Sequence, residues 1–280
     1  DGTVWRFCRN GQCRGAVLSV DIEILRGDSP LVLGLPHTGT ILPDAVRTGL
    51  NDTGLAMADT DWHIHDLYDG LVEGVTTVRT PVHRYAIDVN RDPTGVSLYP
   101  GQNTTGLCPL TDFDGHPIYQ SGAEPDADEV ERRRLAYHAP YHAALEAELT
   151  RLRALHGFAL LYDCHSIRSR IPFLFDGTLP DFNIGTNEGA TCDTAIQSAV
   201  LARCTAAKAY STVLNGRFKG GWTTRHYGRP EQGWHAIQME LAQSTYMIES
   251  PPWSYLPDRA RTTRAILKPV LTDLTQWRPA

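Results

Sequence analysis

Three segments set side chains capable of metal binding or acid–base chemistry directly against apolar runs. "LVLGLPHTG" leads into His37, "FALLYDCHS" runs into Asp163, Cys164, His165 and Ser166, and "AIQMELAQ" embeds Glu240. A catalytic zinc takes about three protein ligands from His, Asp, Glu or Cys and keeps a further position for water. His37 and His165 supply two ligands, and "ADTDWHIHDLY" offers Asp61 as the third, with Asp59 its near competitor. A carboxyl among apolar neighbours is pushed toward higher pKa because burial disfavours its charge, which suits Glu240 to general-base work. A paired core glutamate is the plainer reading of the same residue.

Other arrangements are weaker. His63 and His65 would share a face on a strand, but "DLYDGL" after them reads as helical, and positions two apart on a helix diverge. His138 and His142 stand i, i+4 like a metalloprotease pair, yet Ala139 occupies the place of the catalytic Glu, so a packed or solvated helix face is the better reading. Cys164 and His165 are adjacent on a strand and point to opposite faces, a poor nucleophile couple. Ser166 lacks the G-x-S-x-G elbow. "HRYAIDVNRDP" gathers Arg84, Asp88, Asn90 and Arg91. A guanidinium fork matches two carboxylate oxygens, so Arg84 and Arg91 are substrate-clamp candidates unless the run is a surface salt-bridge network.

Positioning such groups takes a scaffold. Short apolar runs ending at His37, Pro81 and Cys164, with another around Glu240, read as strands of a largely parallel sheet within an α/β architecture. Ligands bind beyond the carboxyl ends of such strands, so His37 and His165, each placed after a strand end, meet on one edge. A helix is expected from Pro125 to His156, stopped by Gly157 and kinked or split at Pro140. The stretches 91–117 and 218–235 are rich in Gly, Pro, Asn and Thr and read as functional loops. Roughly the first twenty residues lack periodicity, giving a tail over 1–22 and one domain over 23–280.

The 280 residues carry a net charge of −6 with a pI near 6.0, which argues against a nucleic-acid partner. No apolar run approaches the roughly 18 residues of a transmembrane helix, and no signal-peptide pattern is present, so no membrane partner and a cytoplasmic setting are expected. Six scattered cysteines without a CxxC pair suggest reduced thiols.

Several motifs in order, "LPHTG", "DTDWHIHDLY", "RYAIDVNRDP", "LYPGQNTTGLCP", "DCHSIRS", "NGRFKGGWTTRHYG" and "QMELAQSTYM", make the chain from about Arg26 onward resemble the N-formylglutamate amidohydrolase family. The resemblance implies a single α/β domain with a central mixed, mostly parallel sheet flanked by helices, phosphorylase/hydrolase-like and akin to zinc carboxypeptidases and aspartoacylase. It implies one zinc or other divalent ion on His37, Asp61 and His165, with Asp88 orienting His37. It further implies Glu240 as base, Arg84 polarising the scissile carbonyl, and Asn90, Arg91 and Arg225 holding the carboxylates of N-formyl-L-glutamate, a step in histidine degradation. Thr40 stands where carboxypeptidases place a Glu ligand, which leaves that duty to Asp61. A zinc hydrolase of another N-acyl amino acid or peptide, or a non-catalytic dicarboxylate-binding protein, would use the same scaffold.

Overall fold

Two-residue periodicity divides the central strands between two cores. In β2 (Leu31–Leu35), β4 (Ala159–Ile167) and β7 (Trp234–Ala242), side chains alternate across the sheet. Leu31, Leu33, Leu35, Leu160, Tyr162, Cys164, Ile237, Met239 and Leu241 enter one core, whereas Val32, Ala159, Leu161 and Ala236 enter the other. Strands buried on both faces need helices on both, which is the reason their sequences read as nearly continuous apolar runs.

A computed structural model describes residues 21–96 and 104–279. Adding β1 (Glu23–Leu25), β3 (Thr76–Arg79), β5 (Phe182–Gly185) and β6 (Thr212–Leu214) gives a seven-stranded sheet of order β1-β3-β2-β4-β7-β5-β6. The middle run from β3 to β7 is parallel, β1 and β5 join it antiparallel, and β6 lies parallel to β5. The expected mixed, mostly parallel sheet is present.

The helices are α1 (Asp44–Arg47), α2 (Asp52–Leu55), α3 (Ile64–Tyr68), α4 (Ala127–Arg133), α5 (Ala139–His156), α6 (Thr194–Ala206), α7 (Trp222–Tyr227) and α8 (Pro257–Gln276). On one face of the sheet α5 buries Tyr141, Leu145, Leu149 and Leu152, a stripe at helical spacing. On the other, α6 contributes Ile196, Val200 and Cys204, and α8 contributes Leu267, Val270, Leu271 and Leu274. Each such aliphatic side chain contributes about 1.5–3 kcal/mol of transfer free energy.

The helix expected from Pro125 to His156 is divided. Asp126 caps α4 by accepting from Glu129 N, one π-helical turn spans Arg134–His138, and α5 runs on to Gly157 in the left-handed region at φ 83°. Pro140 has no N–H for the carbonyl a turn earlier, and the wider turn relieves the ring's clash there. The π turn and α5 bring His138 and His142 to the Asp88–Arg91 segment, where His142 Nε2 lies 2.7 Å from Val89 O and His138 Nε2 lies 3.0 Å from Arg91 O. That pair grips backbone.

Two expectations need correction. His37 does follow a strand, β2, but His165 lies inside β4, because hydrogen bonding to β7 continues to Ile167 paired with Ala242. The stretch 218–235 is not a loop throughout, since it holds α7 and a 3-10 turn at Pro230–Gln232 and enters β7. Tertiary packing against β4 and β7 overrides its Gly-rich composition. Residues 1–20, most of the expected tail, lie outside the described residues, as do Cys8 and Cys13; the other four cysteines are free and buried. Among the described residues no helix is long and apolar enough to cross a membrane.

Candidate metal site and its cavity

Register brings four polar side chains onto one patch. β4 and β7 pair Asp163 with Gln238 and His165 with Glu240. Alternation turns all four away from the core that takes Cys164 and Met239, so Cys164 points to the face opposite His165 and forms no couple with it. His37, just past the end of β2, completes the patch: the His37 and His165 rings are 5.0 Å apart. Asp61 arrives from the turn before α3, its N–H bonded to His37 O and its Oδ2 accepting from Ser166 N.

The two imidazoles present equivalent atoms to one carboxylate oxygen. Asp61 Oδ2 lies 3.4 Å from His165 Nδ1 and 3.9 Å from His37 Nδ1. One donor atom from each of the three residues lies within 4.8 Å of the others, and all three residues are buried. Each Nε2 faces a further carboxylate, Asp88 Oδ1 at 2.7 Å for His37 and Asp163 Oδ1 at 3.1 Å for His165. Asp59, the competitor for the third position, is turned elsewhere: its Oδ2 accepts from Phe113 N.

These donors fit a divalent cation. His37 Nδ1 is buried with no hydrogen-bond partner, an expensive state for a polar atom unless something occupies its lone pair. Burial lowers the His37 pKa, with Arg84 adding to the effect, so the ring is neutral as a ligand must be. At His165 burial also works downward, but Asp163, Asp61 and Glu240 outweigh it and raise the pKa, so positive charge is favoured there. Asp61, Asp88 and Asp163 converge where Arg84 is the most closely engaged cation, and three buried aspartates require further compensation.

Glu240 sits one strand from His165, its Oε2 accepting from Gln238 Nε2 at 3.1 Å, while Gln238 Oε1 accepts from Gly221 N. Burial pushes the Glu240 carboxyl up to about 8, against a downward pull from His165. Arg84 Nη2 donates to Asp88 Oδ2 at 2.7 Å, and its Nη1 is 3.5 Å from Asp61 Oδ1. Asn90 Oδ1 accepts from Thr223 N, and its Nδ2 is 3.2 Å from His165 Nε2. The tautomer decides the role of that nitrogen: a bare Nε2 accepts from Asn90, whereas a protonated one faces Asp163 Oδ1 at 3.1 Å, an oxygen with no other hydrogen-bond partner. Arg91 donates to Thr105 O and Oγ1 and to Asn90 O.

A cavity of about 210 Å³ opens over this patch, lined by His37, Asp61, His165, Glu240, Arg84 and Arg91 among others. Asn90 is on the wall; Arg225 is not among the lining residues, and its Nε donates to Gly220 O. Arg217 lines the cavity instead. Sequence reasoning assigned no role to Asp163, Gln238 or Arg217. The first two stand two positions before His165 and Glu240 on the same strand faces, a spacing that marks them as neighbours of the site.

Comparison with known proteins agrees with the motifs. The family model described as N-formylglutamate amidohydrolase matches residues 29–247. An N-formylglutamate deformylase of Pseudomonas aeruginosa is 51% identical over 257 residues, covering 91% of this chain and 96% of its own. One of Pseudomonas putida is 48% identical over 253 residues, covering 90% and 94%. The crystal structure of an N-formylglutamate amidohydrolase from Ralstonia eutropha superposes with a TM-score of 0.76 at 25% identity, covering 92% of this chain and 97% of that one.

Proposed function

Since the chain belongs to the N-formylglutamate amidohydrolase family, we propose that its cavity hydrolyses the formamide C–N bond of N-formyl-L-glutamate, releasing formate and L-glutamate. The observation that carries the reading is the meeting, in one cavity, of the His37–Asp61–His165 donor set, Glu240 and several arginines. The resemblance extends the reading to histidine breakdown.

His37, Asp61 and His165 would hold zinc. A bound zinc supplies Lewis acidity and lowers the pKa of water toward about 7. Glu240 accepts a proton from the attacking water as the oxygen–carbon bond forms. It returns that proton to the amine nitrogen as the C–N bond breaks, so that formate and the amino acid leave. Arg84, fixed by Asp88, holds positive charge beside the carbonyl oxygen that becomes negative. Were His165 Nδ1 to hold the ion, the ring's proton would sit on Nε2, 3.1 Å from Asp163 Oδ1, and Asn90 Nδ2 would be left to serve the substrate α-carboxylate alongside Arg91.

The direct test is formate release from N-formyl-L-glutamate, lost on chelation and restored by zinc; zinc-loaded protein that releases none would refute the reading. The backbone around Asn90 gives a second test. A Cβ on Gly221 would overlap the Asn90 amide, so Gly221→Ala must displace that side chain. Displacements of roughly 1 Å in positioning groups cost on the order of 10²-fold. Gly221→Ala is expected to lose kcat/KM on that order in steady-state assays with an unchanged circular dichroism spectrum, and wild-type kinetics would mean that Asn90 does not position substrate.

A further inference from the structure

We propose that Arg217 is the specificity residue that receives the side-chain carboxylate of the substrate, and so selects N-acyl amino acids with an acidic side chain over neutral ones. The inference rests on the hydrolytic reading above and names what that site recognises at the far end of its substrate.

N-formylglutamate carries two carboxylates, and a site that takes it out of water must pair both with localised cations. Three arginines line the cavity. Arg84 is ion-paired with Asp88 and faces Asp61, and Arg91 Nη1 lies 3.6 Å from Asp88. Arg217 differs from both. It forms no ion pair with any described acidic residue, in a protein whose net charge is −6. Its Nε donates to Leu174 O at 3.3 Å and its guanidinium carbon lies 5.7 Å from the Phe218 ring centroid, so the two terminal nitrogens donate to no described residue. A half-buried guanidinium anchored at Nε and braced on an aromatic face keeps its fork for a carboxylate.

Position along the cavity decides which carboxylate. The α-carboxylate is one carbon from the scissile nitrogen, so it must bind close to the metal donors. Asn90, in contact with His165, and Arg91, next in the chain, are there. The second carboxylate lies beyond two further methylene groups. Arg217 comes from the segment after β6, and with Leu174 and Phe218 it adjoins the apolar cluster of Phe113, Ile167, Ile171 and Leu179. Leu174 and Phe218 also line the cavity, giving the methylenes an apolar wall on the way to the guanidinium. Arg225, on which the family motif first suggested this duty, is off the lining.

The test compares N-formyl-L-glutamate with N-formyl-L-glutamine, nearly the same shape without the charge, in wild type, Arg217→Ala, Arg217→Lys and Arg225→Ala. A charge-assisted contact predicts that Arg217→Ala lowers the glutamate-over-glutamine ratio of kcat/KM by about 30-fold, mainly through KM, with Arg217→Lys intermediate. Equal fractional losses on the two substrates, or collapse of the ratio in Arg225→Ala while Arg217→Ala keeps it, overturns the assignment. Calorimetric binding of L-glutamate against L-glutamine reads the same preference without turnover. Wild-type protein that favours L-glutamate through Arg217 yet releases no formate therefore refutes the hydrolytic reading and leaves this one standing, whereas equal binding of both in wild type and Arg217→Ala overturns it.

Discussion

Glu240→Gln is expected to lower kcat for formate release by about 10²- to 10⁴-fold, the range that a positioned general base contributes. KM should change little. The substitution is close to isosteric, and a glutamine oxygen at the same place still accepts from Gln238 Nε2, so the local hydrogen bond survives while the basic oxygen is lost. Burial pushes the carboxyl up to about 8, and a cation held by the neighbouring donors would lower that pKa toward neutral pH, where the group can both take and return a proton. Burial keeps the Glu240 carboxyl largely protonated at neutral pH, and a neutral amide of the same shape adds no charge beside Asp61 and Asp163, so the melting temperature should not fall. Metal content and the thermal melt are the controls. A variant with wild-type kcat removes Glu240 from the chemistry.

The legible part of the fold was the part dictated by local periodicity. β2, β4 and β7 announce themselves because strands covered on both faces must be apolar throughout, and Pro140 marks the π turn before α5 because it offers no N–H to the carbonyl a turn earlier, although Pro269 is accommodated inside α8. β1 and β6, only three residues each, carry too short a pattern to stand out, and their pairing comes from β3 and β5. α7 escaped notice because its six residues are flanked by glycines that serve close packing: a Cβ on Gly221 would strike Asn90 and one on Gly228 would strike Thr191. At the site, the types and spacing of His37, Asp61, His165 and Glu240 point to their chemistry. The choice between Arg217 and Arg225 depends on which of them reaches the cavity wall, a long-range property that two arginines within the one motif "NGRFKGGWTTRHYG" cannot disclose.

Removal of one metal donor and removal of its support should differ in kind. Dialysed His165→Ala is expected to retain almost no zinc, against about one ion per chain in the wild type, because a catalytic zinc site needs its full set of about three protein donors. Asp163→Asn should keep the ion but bind it 10–100-fold more weakly, the usual effect of losing the carboxylate behind a ligating imidazole. The geometry separates the cases: His165 Nδ1 lies on the Asp61 side of the ring, whereas Asp163 Oδ1 meets only the far nitrogen and Thr224 occupies its other oxygen. Thermal melts give a second readout that needs no turnover. A ligand that binds the native state alone stabilises it by RT ln(1 + [L]/Kd), so zinc raises the wild-type melting temperature, raises that of Asp163→Asn only at higher concentration, and leaves His165→Ala unmoved. Stoichiometric zinc of wild-type affinity in His165→Ala would show that the buried donors answer some other need, since a carboxylate cluster this dense then finds its compensation without that imidazole.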